Sequence, residues 1–155
     1  MTAHVGAATY TGNIYSISAT IPASYDSAGY GTSSGLVFSV IGEVSDFPAY
    51  GPKAAVGKFN PINGAIEKFK GAPDYGSGNL VCADVPGDAG QIILKAASAS
   101  PNAHYSVKVT SPDGEIDYLD VIVAGWELSA QKENTPKTRT AAIEVCKAVV
   151  NVAAA

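Results

Sequence analysis

Few residues in this chain of 155 could do chemistry. Residues 51–58 approach a phosphate-binding loop, G-x-x-x-x-G-K-[ST], in which backbone amides cradle phosphates, the lysine reaches them and a hydroxyl holds magnesium. The match fails twice. Five residues separate Gly51 from Gly57 where four are required, and Phe59 stands where the hydroxyl is needed. The two histidines, His4 and His104, sit near segment ends with no patterned partner, so neither a Ser-His-Asp nor a metal reading follows. An exposed strand-edge position is expected for His104. Cys82 and Cys146 lie far apart and match no metal-ligand spacing. Both fall in apolar, strand-like runs, which predicts buried free thiols in a reducing cytoplasm. Glu115, Asp117 and Asp120 cluster beside a Pro-Asp-Gly turn at 112–114. Paired carboxylates can do acid–base work or bind calcium, but this spacing is no calcium loop and no opposing carboxylate can be placed. The plainer reading is a solvated hairpin tip that forms an acidic surface. With no nucleophile–base pair to assemble, the chain is expected to be no enzyme and to need neither cofactor nor metal.

Composition bounds the rest. The chain is 46% apolar, long enough for one domain with a real core. Charged residues make up only 15%, against ~25% in typical soluble domains. So few charges suggest a surface that meets other protein. The formal net charge of −4 disfavours gripping nucleic acid, which needs clustered Lys and Arg. The charge is also uneven. Residues 51–70 carry Lys53, Lys58, Lys68 and Lys70 against Glu67 alone; residues 71–131 carry eight acids against Lys95 and Lys108. Ordinary solvated faces would explain this, as would a basic edge that docks on the acidic edge of a neighbouring copy. No basic-then-apolar leader opens the chain, and no apolar run approaches the ~18–20 residues of a membrane helix. The protein is therefore expected to be cytosolic when made.

The elements that position these residues read as mostly β. Residues 13–21 alternate, with Tyr15, Ile17, Ala19 and Ile21 opposite Ser16, Ser18 and Thr20, as in a half-buried strand. Pro22 ends it, and 24–35 has loop composition. Residues 36–44 predict a strand apolar on both faces and deeply covered. Residues 47–57, broken by Pro48, Gly51 and Pro52, predict a long connection. Short strands at 58–59 and 65–70 flank Asn63–Gly64, a strong hairpin signal; 71–78 reads as a loop and 79–83 as a strand. Over 84–100 the period changes. Ala89, Ile92, Ile93, Ala96 and Ala97 share one helix face, Asp84 or a neighbour can cap it, and Pro101 stops it. This predicts a helix near 86–99. Gly87 and Gly90 weaken it, and Ile92–Leu94 could instead be a strand. Strands follow at 104–110, 117–128 and 138–152. Trp126 reads as core or as an intersubunit anchor. The whole is one antiparallel β-sandwich or barrel with one flanking helix, preceded by an unpatterned arm over 1–10.

The order of these segments carries a resemblance. A Gly-rich loop and short strand (75–84) precede Pro-x-Asp-Ala-Gly-Gln at 86–91; a strand then ends in Ser-Pro-Asp-Gly at 111–114. The next runs into Gly-Trp-Glu-Leu at 125–128, before a polar loop and a last strand at 138–152. With Ile-Gly-Glu-Val-Ser-Asp-Phe-Pro-Ala-Tyr at 41–50, this set resembles the major tail tube protein of long-tailed (siphovirus) bacteriophages, over roughly residues 36–152. The resemblance implies a β-sandwich with a flanking helix, related to the tube protein of type VI secretion. It implies homohexameric rings whose inner strands join into a continuous barrel. Rings stack around a tape-measure protein, with tail tip and terminator proteins at the ends, and viral DNA later passes through an acidic lumen without specific binding. The implied place is the virion tail.

On that reading residues 45–62, the longest irregular basic segment, bridge successive rings, with Lys53, Lys58 and Phe59 as contact residues. Edge strands close each ring, and Glu115, Asp117 and Asp120 form the acidic surface toward the lumen or ring rim. Reversing Asp117 and Asp120 to Lys is then expected to leave folding intact. Another virion β-protein, a capsid decoration or tail terminator protein, is the competing reading. A small-molecule or glycan-binding barrel using the Tyr- and Gly-rich loops at 29–35 and 75–78 is the third.

Overall fold

The computed structural model describes residues 6–31, 35–101 and 103–154; His4 and half of the expected N-terminal arm lie outside them. The elements run β1 (Ile14–Ser18), α1 (Ser27–Tyr30), β2 (Ser39–Val40), β3 (Val44–Asp46), β4 (Lys53–Phe59), β5 (Glu67–Asp74), β6 (Ser77–Ala83), α2 (Ala89–Ala99), β7 (Tyr105–Thr110), β8 (Ile116–Val123), β9 (Glu127–Leu128), β10 (Thr138–Val145) and β11 (Val150–Val152). The mainly β, antiparallel class expected from the alternation is what the chain adopts.

The main sheet follows the path β2-β1-β7-β8-β10-β6-β3, with β9 beside β10 and β11 beside β8. Its two ends are consecutive in the chain, with only residues 41–43 between them. The Ile41 amide donates to the Tyr15 carbonyl of β1 (2.8 Å), and the Glu43 carbonyl accepts from Ala83 at the end of β6 (2.9 Å). The Cα atoms of residues 41 and 43 stand no more than ~7 Å apart. Across a flat sheet with three strands between them, β1 and β6 would be ~19 Å apart. The sheet must therefore roll up, and segment 39–46 closes it as a bent stave. This corrects the expected straight strand at 36–44: it is split at Gly42, and Glu43 takes a positive φ of 56° to make the bend. Nor is all of it covered, for Val40 is 55% exposed.

Alternation fills the barrel. Val107 and Val109 of β7, Leu119, Val121 and Val123 of β8, Ile143 and Val145 of β10, Leu80 and Cys82 of β6 and Ile17 of β1 form one buried cluster, joined by Leu94 and Ala97 of α2. Burial pushes the Cys82 thiol up to about 11, so it stays protonated and inert at neutral pH. The other face of β1, β7 and β8 is also buried at its centre, so 16–18 is covered on both faces, while Ile14, Ala19, Thr20 and Ile21 of the expected half-buried strand are exposed. Ser16, Ser18 and Ser106 are covered, with Ser106 Oγ donating to the Thr20 carbonyl (2.8 Å). Part of the cover comes from within the expected loop at 24–35, where Ser27–Tyr30 instead forms the short helix α1. Asp26 caps it by accepting from the Gly29 amide, and Tyr30 stacks on Tyr118 (centroids 4.9 Å apart).

Helix α2 starts at Ala89, later than expected, because Asp88 and not Asp84 is its cap; the strand alternative for 92–94 falls away. The Asp88 carboxylate accepts from the Gln91 amide and from the Gly42 amide, both at 3.1 Å. The buried Gln91 side chain donates to the Gly42 and Ala83 carbonyls and accepts from the Val85 amide. The start of the helix thus clamps the closing bend from both sides. Gly90 is the reason it can come so close: a Cβ there would lie 2.4 Å from the Val40 carbonyl oxygen and 2.6 Å from Ile41 Cα. The glycine that weakens the helix on propensity is required by packing.

Four other segments differ. The connection expected at 47–57 is strand from Lys53 onward, in β4, and the loop expected at 71–78 is mostly the end of β5 and the start of β6. The long strand 117–128 breaks into β8 and β9, and 138–152 into β10 and β11, a break that lets the chain pass from pairing Val121–Val123 to pairing Ile116–Tyr118.

Two substitutions test the clamp. Gly90→Ala is expected to cost about 1–3 kcal/mol in chemical denaturation, since the neighbour is backbone and cannot swing aside. Gln91→Leu keeps the volume but takes the side-chain partner from the Val85 amide and from the Gly42 and Ala83 carbonyls. It should cost at least ~2 kcal/mol by the same measurement.

Candidate functional site

The β4–β5 hairpin is a separate two-stranded sheet, outside the barrel. Every residue of β5 is exposed. Its apolar residues are bare: Val56, Phe59, Ile62, Ile66 and Phe69 are each more than half exposed, with Ile62 at the tip fully so. The register sorts the side chains. Gly57 opposes Phe69 and Phe59 opposes Glu67, so the two phenylalanines share one face, with the Phe69 ring lying over Gly57. Lys58 opposes Lys68 and Val56 opposes Lys70 on the other face. Like charges directly opposite one another are unfavourable, and an isolated two-stranded ribbon is marginal in water. Among the described residues, Lys53, Lys58, Lys68 and Lys70 form no ion pair. The ribbon thus carries its bare phenylalanines on one face and its lysines on the other.

This revises the picture of 45–62. Lys53, Lys58 and Phe59 lie on strand β4 and not on an irregular loop, with Lys53 and Phe59 at its opposite ends. Phe59 faces one way with Phe69, Lys58 the other with Lys68.

The acidic residues divide. The 111–114 turn closes with the Gly114 amide on the Ser111 carbonyl (3.0 Å), Gly114 taking φ 98°. Beyond it Glu115, just before β8, and Asp117, on it, come together. The Asn151 side-chain amide bridges them, donating to Glu115 Oε1 (2.7 Å) and Asp117 Oδ1 (2.6 Å). The Tyr50 hydroxyl donates to Asp117 Oδ2 (2.6 Å); its burial, and then this bond, raise the phenol far above the ordinary tyrosine range. Tyr50 in turn meets Phe47, which stacks on Tyr15 (4.5 Å). These two carboxylates line an open hollow of about 850 Å³ with Tyr10, Asn13 and Asp113.

Asp120 is not part of that surface. It lies three residues on from Asp117, so strand alternation turns it to the opposite face, where its side chain is wholly buried. His104 Nδ1 lies 2.8 Å from Asp120 Oδ2. A lysine at 120 would bury an ammonium in place of a paired carboxylate, so the expectation that both reversals spare folding is corrected for this position. Cys146 completes the surroundings. It is exposed, not buried as expected, and its thiol is raised by partial burial and by Asp120. A raised thiol is the reverse of the depressed thiol of an activated nucleophile. Sequence spacing could not bring these three residues together; the β7–β8 register and the chain just past β10 do so.

Asp84, considered as a helix cap, instead faces Lys137 (3.2 Å) and Arg139 (3.5 Å). The Arg139 guanidinium lies 5.8 Å from the centre of the Trp126 ring, which packs against the core.

No protein-family model matches the chain, and no curated protein matches it. Solved structures do. The chain is similar to one in the structure of an extracellular contractile injection system, PVC sheath/tube terminator in the extended state. That match has a TM-score of 0.60 at 10% identity and covers 96% of this chain and 99% of the other. A chain of the anti-feeding prophage (AFP) baseplate also matches at TM-score 0.60, with 8% identity over 97% and 98% of the two chains. One in the PVC sheath-tube complex in the extended state matches at 0.50, with 11% identity over 91% and 88%. At such identities the likeness is one of fold: this chain has the fold of components of phage-tail-like injection machines.

Proposed function

We propose that the chain is an architectural, non-catalytic subunit of a phage tail, forming homohexameric rings that stack into the tail tube. The observation that carries this reading is the β4–β5 hairpin. It stands outside the barrel, leaves two phenylalanines bare and gathers unpaired lysines on the face opposite them. A second copy is a fitting partner, because Glu115 and Asp117 offer the opposite charge at another place on the same chain. Such a contact is heterologous, so it propagates into rings or filaments. The free long edges of β4 and β5 suit pairing between subunits, whereas the ends of the main sheet are short and joined to each other. The tape-measure, tail tip and terminator proteins are the partners this role brings, and DNA would pass an acidic interior without being held. Among the described residues no helix is long and apolar enough to cross a membrane.

A tail terminator is the second reading, favoured by the fuller likeness to a chain of the sheath/tube terminator structure than to one of the sheath-tube complex, TM-score 0.60 against 0.50. The terminator would close one ring; the tube subunit stacks many. Negative-stain electron microscopy of the concentrated protein separates them. Hollow filaments with a regular axial repeat are expected. Discrete single rings select the terminator, and particles that stay monomeric at every concentration and with a tail-tip nucleus count against both.

The double variant Phe59→Ser, Phe69→Ser should raise the protein concentration needed for assembly at least about tenfold, since each buried phenylalanine contributes roughly 1.5–3 kcal/mol. Its melting temperature should stay within a few degrees of the parent, because both rings are exposed in the subunit. Lys58→Glu with Lys68→Glu should likewise block assembly, and the parent's assembly should weaken with added salt. Sedimentation velocity across a concentration series reads both. Unchanged assembly of the phenylalanine variant sinks the role of the hairpin.

A further inference from the structure

The His104–Asp120–Cys146 trio is explained neither by packing nor by the assembly reading. One ligand atom from each residue lies within 4.8 Å of the others. Their positions are fixed by backbone. Ser106 opposes Asp120 in the β7–β8 register, which sets His104 at the start of β7 close by, and the Cys146 amide donates to the Asp120 carbonyl at 2.8 Å. The carboxylate is wholly buried, and only one of its oxygens is satisfied: Oδ2 faces His104, while Oδ1 has no hydrogen-bond partner. A buried, orphaned carboxylate oxygen is costly, and a cation removes that cost. The Cys146 thiol makes only a long contact to the Glu144 carbonyl (3.6 Å), and the nearby Lys147 ammonium is engaged over the Tyr25 ring (4.7 Å).

We infer that His104, Asp120 and Cys146 form a three-ligand site for a borderline-soft divalent cation of the zinc class. An imidazole, a carboxylate and a thiolate suit zinc or cobalt, whereas calcium and magnesium require oxygen ligands. Around a tetrahedral zinc such atoms stand ~3.3–3.8 Å from one another, which small rotamer adjustments from the present spacing reach. Binding displaces the thiol proton to solvent, and any proton between His104 Nδ1 and Asp120 leaves with it or moves to the outer ring nitrogen. His104 also lines the cleft of Ala19, Thr20, Ile21, Tyr25 and Lys147, from which water would complete the coordination. The bound ion would staple the entry to β7, the middle of β8 and the exit from β10, three segments distant in sequence. The inference concerns the single subunit and does not rest on the assembly reading.

The test is cobalt(II) and zinc(II) titration of the full-length, untagged, reduced protein. One ion per chain is expected, with cobalt giving a sulfur-to-metal charge-transfer band and the intense visible bands of a tetrahedral site. Cys146→Ser should abolish the charge-transfer band and weaken binding more than about 100-fold, above the loss typical of outer-shell partners. His104→Ala should weaken it comparably, and Cys82→Ser should leave it unchanged. Cys146→Ser alters an exposed residue with only a long contact and is expected to stay folded; His104→Ala unpairs the buried Asp120, so its fold is checked by circular dichroism and Cys146→Ser carries the test. Zinc at a hundredfold excess over its dissociation constant should raise the melting temperature by roughly 5–10 °C, and not in Cys146→Ser. No stoichiometric binding, or binding that survives both ligand variants, overturns the inference.

Discussion

The fold hangs on a two-bond passage. Between Ile41 and Glu43 the backbone leaves the ladder of β1 and joins that of β6. That single short crossing forces the sheet to close, which brings the apolar faces of five strands onto one interior. Everything at the crossing is arranged to hold it. The Gly42 amide and carbonyl are both taken by side chains at the start of α2, and Gly90 lets the helix lie against the backbone of Val40 and Ile41. The helix is therefore a latch more than a layer. Its apolar residues fill the core, but its polar first turn decides whether the barrel stays shut.

Closure also explains where the free surface lies. A barrel removes the exposed strand edges that make open sheets sticky. The edges that remain long and unpaired belong to the hairpin outside it, where the bare phenylalanines and lysines are concentrated. The low charge of the sequence is thus unevenly spent: the barrel is quiet, and the projecting ribbon carries the apolar patch. The acidic end at Glu115 and Asp117 is held differently, by Asn151 and Tyr50, so its carboxylates are presented in fixed positions.

Much of this was legible in the residues. The alternation at 104–110 and 117–123 and the helix face ending before Pro101 each report a local preference that the tertiary structure keeps; the hairpin around Asn63–Gly64 forms too, but through a turn from Pro61 to Gly64 in a longer connection, with neither residue at positive φ. What was missed has physical reasons. The run at 36–44 looks like a covered strand because apolar residues occupy both faces, and periodicity cannot show a bend whose cause is the distant Asp88 and Gln91. The strand at 53–59 was hidden because Lys-Ala-Ala-Val-Gly-Lys-Phe packs on no core, so no burial pattern marks it. The separation of Asp117 from Asp120 was readable, since an odd offset in a strand changes face. The meeting of His104, Asp120 and Cys146 was not, because it depends on registers between strands.

The contrast between hairpin and barrel has a consequence for the newborn chain. Strands β4 and β5 meet across residues 60–66 alone, so they can pair within ~1–10 μs once exposed. The barrel cannot close until residue 144 is available to pair with 77 and residue 110 with 14. Such distant pairing belongs to the millisecond-to-second regime of β folds. For that interval every chain on a polysome displays its stickiest ribbon with no barrel behind it. The facing lysines at 58 and 68, unhelpful to the ribbon itself, set like charges beside its apolar residues, which disfavours pairing between unfinished neighbours.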